Sequence, residues 1–177
     1  MSSASNAQFL AGLLNQRGLS GEGAEIGVYR GGFSVPFLQA WPGTLHLVDP
    51  WNLAMKRGMH GTSHDLEITR QALDAAGVTE RAVLHMLQSH VAATLFQPSR
   101  LQVVYVDGAH DYQQVQRDLE VWWHKLAPGG LFAGHDYRHN CGVPRALWEF
   151  MHDKQFSYQV RPDEHDNGLW WGWKPVA

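Results

Sequence analysis

The sequence predicts an α/β fold, namely a doubly wound, mostly parallel seven-stranded sheet with an antiparallel last strand. Short apolar runs alternate with helical patterns five or six times along the 177 residues, which is typical of a parallel sheet covered by helices. Two strand-like segments then follow one another near the end of the chain, and such neighbours usually pair antiparallel. The length indicates a single domain, residues 1–177, with a substantial core.

Helical and strand-like patterns alternate regularly in the first half of the chain. The predicted elements are a helix at 5–17, a strand at about 23–28, a helix at 33–40, a strand at 44–48 and a helix from Ser63 to Gly77. The core of the domain is expected to begin after the first helix and to extend from about residue 20 to 175. The first helix is indicated by Phe9, Leu10, Leu13 and Leu14, which recur at helical spacing. Ser63 is expected to act as the N-cap of the last helix, and residues 50–62 form a long connection before it.

The second half continues the alternation and ends in a strand pair. The predicted elements are a strand at 81–87, a short helix around 90–96, a strand at 101–107, a helix from Tyr112 to Leu126, a strand at 131–135, a helix around 143–151 and paired strands at 156–160 and 169–173. Asp111 and Gln114 have capping-box spacing before the long helix. Pro128 and the two glycines after it are expected to end that helix.

Acidic residues occur at the ends of four of the short apolar runs. These residues are Glu25, Asp49, Asp107 and Asp136. In open α/β sheets, ligands bind beyond the carboxyl ends of the strands. We therefore expect the four acids to face a shared crevice that suits hydroxyl groups, a cation or a positively charged cofactor.

A glycine-rich turn follows the first strand, from Glu25 to Gly32. Glycines at Gly27 and Gly31 allow a positive φ and a close approach of the backbone to a ligand. The spacing differs from the Gly-x-Gly-x-x-Gly of dinucleotide-binding proteins, and Glu25 would repel a phosphate but attract an ammonium or a sulfonium. Asp49 follows at the tip of the second strand, where an acid can accept both hydroxyls of a ribose. The pattern predicts a nucleoside-type ligand.

With these motifs the chain resembles the class I S-adenosylmethionine-dependent methyltransferases. Within them it is most similar to the small-molecule O-methyltransferase-like branch known as methyltransferase family 24. The resemblance rests on Glu25-x-Gly27-x-x-x-Gly31, on Asp49, and on the segments 106–112 and 134–137, and it spans about residues 20–175. It implies the Rossmann-like methyltransferase fold, in which the seventh strand is antiparallel, and it implies S-adenosylmethionine as the cofactor.

The resemblance also implies roles for individual residues around this cofactor. Glu25, Gly27, Gly31 and Ser34 would lie near its methionine part, Asp49 at its ribose, Trp51 against its adenine, and Gln88, Ser89 and Asp107 close by. Relatives often carry an acid at the position of Gln88, where it contacts the adenine amino group. Here the amide oxygen of Gln88 can still accept a hydrogen bond. The alternative for Trp51 is a loop aromatic that covers apolar surface.

Asp107, His135 and Asp136 end neighbouring strands and could converge on a divalent metal ion. Ions such as Mg²⁺ or Mn²⁺ are expected by resemblance, although an imidazole ligand suits Mn²⁺, Fe²⁺ or Zn²⁺ better than Mg²⁺. Metal-dependent O-methyltransferases usually carry acids or an amide at these positions. The histidine therefore leaves open a changed metal, a contact through water, or no metal.

His110 is the candidate catalytic base. It follows Asp107 by three residues, the offset at which the catechol-type O-methyltransferases carry a lysine base. An imidazole with an ordinary pKa near ~6.5 can accept a hydroxyl proton at neutral pH. The alternative is a histidine that only forms a hydrogen bond with a neighbouring turn.

Composition and charge narrow the classes of partner and location. The net charge is −3, and the 14 lysines and arginines form no cluster, so we expect neither a nucleic-acid nor a membrane partner. Cys141 is the single cysteine, which excludes an internal disulfide. No stretch approaches the roughly 20 apolar residues of a membrane span, and the chain is expected to be cytoplasmic. A small-molecule substrate is expected, and the sparse cover of the site is compatible with a homo-oligomer.

The sequence thus predicts an enzyme that transfers a methyl group from S-adenosylmethionine to a small molecule, with a hydroxyl oxygen as the acceptor. A nicotinamide-dependent oxidoreductase on a similar sheet is one alternative. A non-catalytic module that binds S-adenosylmethionine is another. A metal-dependent hydrolase or hydroxylase that uses His135 and Asp136 is the third.

Overall fold

A computed structural model describes residues 3–51, 61–138, 141–161 and 168–176. Within these ranges the helices are α1 (Ser3–Gln16), α2 (Ser34–Ala40), α3 (Ser63–Ala75), α4 (Ser89–Ala92), α5 (Tyr112–Trp123) and α6 (Val143–Asp153). The strands are β1 (Glu22–Ile26), β2 (Thr44–Val48), β3 (Ala82–His85), β4 (Leu101–Val106), β5 (Leu126–Tyr137), β6 (Gln159–Arg161) and β7 (Gly168–Trp173). Two short 3₁₀ helices, Thr79–Arg81 and Ala93–Leu95, complete the described elements.

The strands form one sheet in the order β3-β2-β1-β4-β5-β7-β6. Strands β1 to β5 pair parallel, whereas β7 pairs antiparallel with both β5 and β6. This arrangement confirms the predicted doubly wound sheet with antiparallel pairing at the end of the chain. The strand order reverses between β1 and β4, and ligand sites in open α/β sheets form at such a switch point.

Alternating side chains of each strand pack on opposite faces of the sheet and form two clusters. On β4, Val104 and Val106 pack with α5 and α6, whereas Val103 and Tyr105 pack with α1, α2 and α3. This alternation is the period of two that a strand imposes on its side chains. On β7, Trp170 and Trp171 likewise divide between the two clusters.

Several predicted element boundaries were wrong; the strand expected at 156–160, for example, is Gln159–Arg161. Thr62, not Ser63, is the N-cap of α3, because Asp65 lies three residues after Thr62 and completes a reciprocal capping box with it. Helix α5 ends at Trp123, and Leu126 begins β5, where it pairs with Leu101. Pro128 and the glycines after it therefore lie within a strand and do not end a helix.

Parts of two predicted connections cannot be compared with the structure. Most of the connection at 50–62 and of the loop at 161–168 lies outside the described residues. In the parts of the chain that the structure describes, no helix is both long and apolar enough to cross a membrane.

Candidate active site

A cavity of about 1010 Å³ opens at the carboxyl ends of β1, β2, β4 and β5. All four acids that the sequence singled out, Glu25, Asp49, Asp107 and Asp136, line this one cavity. Gly27, Gln88, Ser89, His110 and His135 line it as well. Its volume reaches the upper end of the range of roughly 300–1,000 Å³ for small-molecule sites. The cavity can therefore hold an extended ligand and leave room for a second molecule.

Gly27 allows the ends of β1 and β4 to lie against each other. It has a φ of 87°, and a Cβ at this position would lie 2.2 Å from the backbone oxygen of Asp107. Its N–H donates to the carbonyl of Val48 at 2.9 Å. Gly31 also has a positive φ, of 75°, but does not line the cavity among the described residues. Of the two predicted glycines, Gly27 therefore lines the cavity and Gly31 does not.

Asp49 holds the glycine turn in place. Its Oδ2 accepts the backbone N–H groups of Val28 at 3.1 Å and Tyr29 at 2.9 Å, and its Oδ1 accepts that of Trp51 at 3.0 Å. A carboxylate offers about four lone-pair positions, so little acceptor capacity is left. Asp49 lines the cavity as predicted, but it cannot accept two ribose hydroxyls without giving up bonds to the turn.

Trp51 does not occupy the predicted position against a ligand. Its side chain is fully buried in the cluster on the α1, α2 and α3 face, and it does not line the cavity. The indole Nε1 donates to the carbonyl of Tyr29 at 2.9 Å. This position agrees with the alternative of an aromatic that packs in the protein, because burial of the ring is favourable when its N–H has an acceptor.

Glu25 is a buried acid at the centre of the cavity edge, only 1% exposed. The Ser34 hydroxyl donates to its Oε2 at 2.5 Å. Burial raises the pKa of Glu25 well above its ordinary value, the Ser34 hydrogen bond opposes this shift, and the charges of Asp107 and Asp49 add to it. Ser34 itself does not line the cavity and acts by positioning Glu25. A cationic group in the cavity would relieve this unfavourable environment.

Gln88 and Ser89 lie at the β3 end of the cavity together with an acid that the predictions did not include. The Ser89 hydroxyl donates to Oδ1 of Asp118 at 2.6 Å and accepts the indole N–H of Trp122 at 2.8 Å. Asp118 lines the cavity and is 2% exposed. Burial raises the pKa of Asp118, and hydrogen bonds from Ser89 and Gln114 oppose the shift.

Asp107, His110 and Asp136 form a compact group at the other end. One ligand atom from each lies within 4.8 Å of the others, and His110 Nε2 is 2.7 Å from Asp136 Oδ2. His135 Nδ1 is farther away, 3.9 Å from Asp107 and 3.7 Å from Asp136. His110 therefore takes the place that was predicted for His135 in the donor set. Asp136 itself has a left-handed backbone, with a φ of 58°.

Charges within this group shift its pKa values. The hydrogen bond to Asp136 raises the pKa of His110, and burial opposes the shift. Burial would raise the pKa of Asp136, but hydrogen bonds from His110 and His135 outweigh it and lower the pKa. Burial also raises the pKa of Asp107, and the positive charge of a protonated His135 opposes this. The group therefore favours an imidazolium–carboxylate pair that another cation could replace.

The sequence matches the family described as "Methyltransferase domain" over residues 24–137. This chain belongs to that methyltransferase family. The match contains most of β1, all of β2 to β5, and the four acids that the sequence singled out. Nicotinamide-dependent oxidation and metal-dependent hydrolysis, the enzymatic alternatives from the sequence, do not fit this membership. The sequence matches no curated protein.

Solved structures share the fold of this methyltransferase at low identity. An O-methyltransferase from Bacillus cereus in complex with SAH has a TM-score of 0.71 and 14% identity, and the alignment covers 96% of this chain and 80% of that one. The O-methyltransferase TomG from Streptomyces achromogenes, involved in tomaymycin synthesis and in complex with SAM, has a TM-score of 0.69, 16% identity and coverages of 97% and 80%. An rRNA methylase from Streptococcus thermophilus has a TM-score of 0.71 and 13% identity, and the alignment covers 98% of this chain and 95% of that one. The fold is therefore shared with two proteins described as O-methyltransferases and with one described as an rRNA methylase.

Sequence reasoning could have found Asp118 in this methyltransferase. It lies on the apolar stripe of α5 formed by Val115, Leu119 and Trp122, where a charged residue is unexpected. A buried acid in such a stripe indicates either a hydrogen-bonded pair or a ligand. The role of Asp49 in holding the turn left no such signal, because it depends on backbone N–H groups.

Proposed function

We propose that this methyltransferase transfers the methyl group of S-adenosylmethionine to a hydroxyl oxygen of a small molecule. The observation that carries the proposal is the single cavity lined by Glu25, Asp49, Asp107 and Asp136 at the switch point of the sheet. When bound, the donor supplies an electrophilic methyl group on a positively charged sulfur. The protein then has to position two reactants in line, exclude water and accept a proton.

The acidic residues of the cavity fit a cationic donor. Glu25 is buried beside two further negative groups, Asp107 and Asp49, and would accept hydrogen bonds from the α-ammonium of the methionine part. Gly27 leaves the wall open beside it, because no side chain projects from this position. Asp49 would contribute mainly by holding the turn and would have one remaining acceptor position for a ribose hydroxyl. Gln88 and Ser89 would face the nucleobase.

His110 is the proposed base. Its Nε2 is engaged by Asp136 at 2.7 Å, which fixes the ring; in its neutral form, which a bound cationic donor would favour, the imidazole would use Nδ1 to accept the proton of the acceptor hydroxyl. The carboxylate stabilises the imidazolium that forms, which is consistent with the raised pKa of His110. His110 is 43% exposed at its side chain, so an acceptor can reach it.

A divalent cation is the second part of the proposal. Asp107, His110 and Asp136 offer one imidazole and two carboxylates, a set that suits Mn²⁺ or Zn²⁺ and less well Mg²⁺. These residues would hold the ion in place of the imidazolium–carboxylate pair; His110 would then be a ligand, and the lowered pKa of a hydroxyl bound to the ion would replace the base. We expect chelator treatment to abolish transfer and Mn²⁺ to restore it. Full activity after chelation would leave the His110–Asp136 pair as the whole catalytic apparatus.

A small molecule is favoured over RNA as the acceptor. The net charge of −3 and the acidic cavity would repel a phosphate backbone. Two of the solved structures with the same fold are O-methyltransferases, which supports oxygen as the acceptor atom. The His110–Asp136 pair supports it as well, because a hydroxyl has to lose a proton to be methylated.

Donor binding is the decisive experiment. We expect calorimetry to detect S-adenosylhomocysteine binding to the wild-type protein and none of NADH. Glu25→Gln should weaken binding about tenfold or more, because a hydrogen bond to a charged group is worth about 1.5–3 kcal/mol. Glu67→Gln, an exposed acid on α3, is the matched control and should change nothing. Absence of binding would refute the proposal, and binding without transfer to any hydroxyl acceptor would identify a non-catalytic module.

A further inference from the structure

Asp118 is a buried acid in the cavity wall that the mechanism above does not use. It projects from α5 and is held by the Ser89 hydroxyl at 2.6 Å, which in turn accepts the Trp122 N–H. The side-chain amide of Gln114 also lies within 3.4 Å of the same oxygen, Oδ1. All hydrogen bonds that the Asp118 side chain makes with described residues thus involve Oδ1. The hydrogen bonds from Trp122 to Ser89 and from Ser89 to Asp118 fix the orientation of the carboxyl group.

The second oxygen, Oδ2, is the one available to a ligand. A Cβ placed on Gly108 would lie 3.9 Å from Oδ2, and both residues line the cavity. The hydrogen bond from Ser89 on α4 to Asp118 on α5 requires only one acceptor oxygen, and the neutral side chain of an asparagine would supply one. Burial of a carboxyl group without a second partner costs free energy, so the acid is unexplained by packing alone.

The order of the strands shows which part of a donor would reach Asp118. Along the carboxyl edge, Gln88 and Ser89 follow β3, Asp49 follows β2, and Asp136 ends β5. Four strand spacings separate β3 from β5, roughly 19 Å at about 4.8 Å each. Because His110 and Asp136 lie at the β5 end, the methyl group would be placed there. The far end of the donor, its nucleobase, would then lie at the β3 end beside Ser89 and Asp118.

We propose that Asp118 is a specificity-determining residue that recognises a 6-aminopurine, with Oδ2 accepting a hydrogen bond from the exocyclic amino group. This inference rests on the proposed function, because it assumes that the donor carries a nucleobase. An ionised or a neutral carboxyl group can accept this hydrogen bond. A base without a donor at this position leaves Oδ2 unpaired and is rejected.

The test compares two ligands that differ only at the amino group. S-Adenosylhomocysteine and its analogue with hydrogen at purine C6 are titrated by calorimetry into the wild-type protein, Asp118→Asn and Glu120→Gln. We expect the wild type to bind the analogue about tenfold or more weakly, as for loss of one hydrogen bond to a charged group. In Asp118→Asn the oxygen stays with Ser89 and the amide NH₂ meets the amino group, so the preference should fall below about twofold. Glu120→Gln alters an acid on the same helix outside the cavity and should keep the preference.

Several outcomes would overturn the inference. Equal affinity of the wild type for both ligands, or an unchanged preference in Asp118→Asn, would assign Asp118 to packing alone. A preference that disappears in Gln88→Ala and persists in Asp118→Asn would assign recognition to Gln88. The wild-type comparison keeps the test valid if Asp118→Asn fails to fold. Failure of the proposed function is distinct, because the wild type would then bind neither ligand.

Discussion

At the scale of single residues, the orientation of His110 is the feature on which catalysis depends most. Its ring is fixed by Asp136 at 2.7 Å. We expect His110→Gln to lower kcat by about 10²–10⁴-fold, because the acceptor hydroxyl loses its base. The Kd for S-adenosylhomocysteine should stay within about twofold, measured by calorimetry. His124→Gln, at an exposed position after α5, is the control, and equal kcat values for the two variants would contradict a role for His110.

Substitution of Gly27 by alanine should strongly reduce both the stability of the protein and donor binding. An added Cβ would lie 2.2 Å from the carbonyl oxygen of Asp107, and the new residue would have to adopt a φ of 87°. We expect Gly27→Ala to lower the free energy of unfolding by about 2 kcal/mol or more and to abolish donor binding. Thermal unfolding with and without S-adenosylhomocysteine measures both effects.

Gly12 offers the matched control for this substitution. It lies within α1, and an added Cβ would contact nothing within 4 Å. Gly12→Ala should raise stability by up to about 1 kcal/mol, because alanine favours a helix. Similar losses in both variants would show that the approach of Gly27 to Asp107 is not a constraint.

At the residue scale, the sequence could predict the acids that lie at the carboxyl ends of strands. Four acids at the ends of apolar runs meet because parallel strands end at one edge, and the cavity confirms this. The choice of His110 rather than His135 for the compact group has no local signature, because it depends on contacts between residues distant in sequence. The burial of Trp51 is likewise set by a carbonyl at Tyr29, distant in sequence.

At the scale of elements, periodicity predicted the order of strands and helices but not their ends. Helix α5 stops at Trp123 although Leu126 continues its apolar spacing. Leu126 belongs to β5 because it pairs with Leu101 in the sheet, and that pairing is a contact between distant parts of the chain. Local pattern specifies an element, whereas tertiary contacts determine where it ends.

Strands β2 and β3 carry a pair of histidines that should make stability depend on pH. His46 Nδ1 lies 2.9 Å from His85 Nε2, and both rings pack edge-on against Phe96. Burial lowers the pKa of His46, and Glu22 opposes that shift. Burial also lowers the pKa of His85, and repulsion from His46 adds to it. Below the ordinary histidine pKa near ~6.5 the unfolded chain therefore binds more protons than the folded one.

The contribution of this pair to stability should thus fall as the pH decreases from 7.5 to 5.5. We expect His85→Gln, which keeps a hydrogen-bonding group beside His46, to reduce this loss. The decrease in Tm over this range should be about 2–4 °C smaller than in the wild type, the shift that corresponds to roughly 1 kcal/mol at this size. His152→Gln, at an exposed position, should leave the wild-type slope unchanged. Identical slopes in all three proteins would exclude the pair as the cause.

At the scale of the whole molecule, α1 is part of the core and not an appendage to the sheet. Leu10 and Leu14 are fully buried in the cluster that contains Phe37, Trp41 and Leu47. Phe9 packs edge-on against Trp171 with ring centroids 5.0 Å apart, and the Trp41 indole donates to the carbonyl of Leu19 at 2.7 Å. The same face includes Phe33, which stacks on Tyr105 below the cavity. Packing of α1 therefore supports the face of the sheet that carries Ser34 and the glycine turn.

Leu10→Ala tests whether this packing belongs to the cooperative unit. Truncation of a fully buried leucine should cost about 2–5 kcal/mol, which corresponds to a decrease in Tm of roughly 5–15 °C. Leu95→Ala, at a position that is 59% exposed, should change stability by less than about 0.5 kcal/mol. Because Leu10 does not line the cavity, folded Leu10→Ala should bind S-adenosylhomocysteine with unchanged affinity. A Tm equal to that of Leu95→Ala would show that α1 unfolds on its own, and the sheet would then be stable without it.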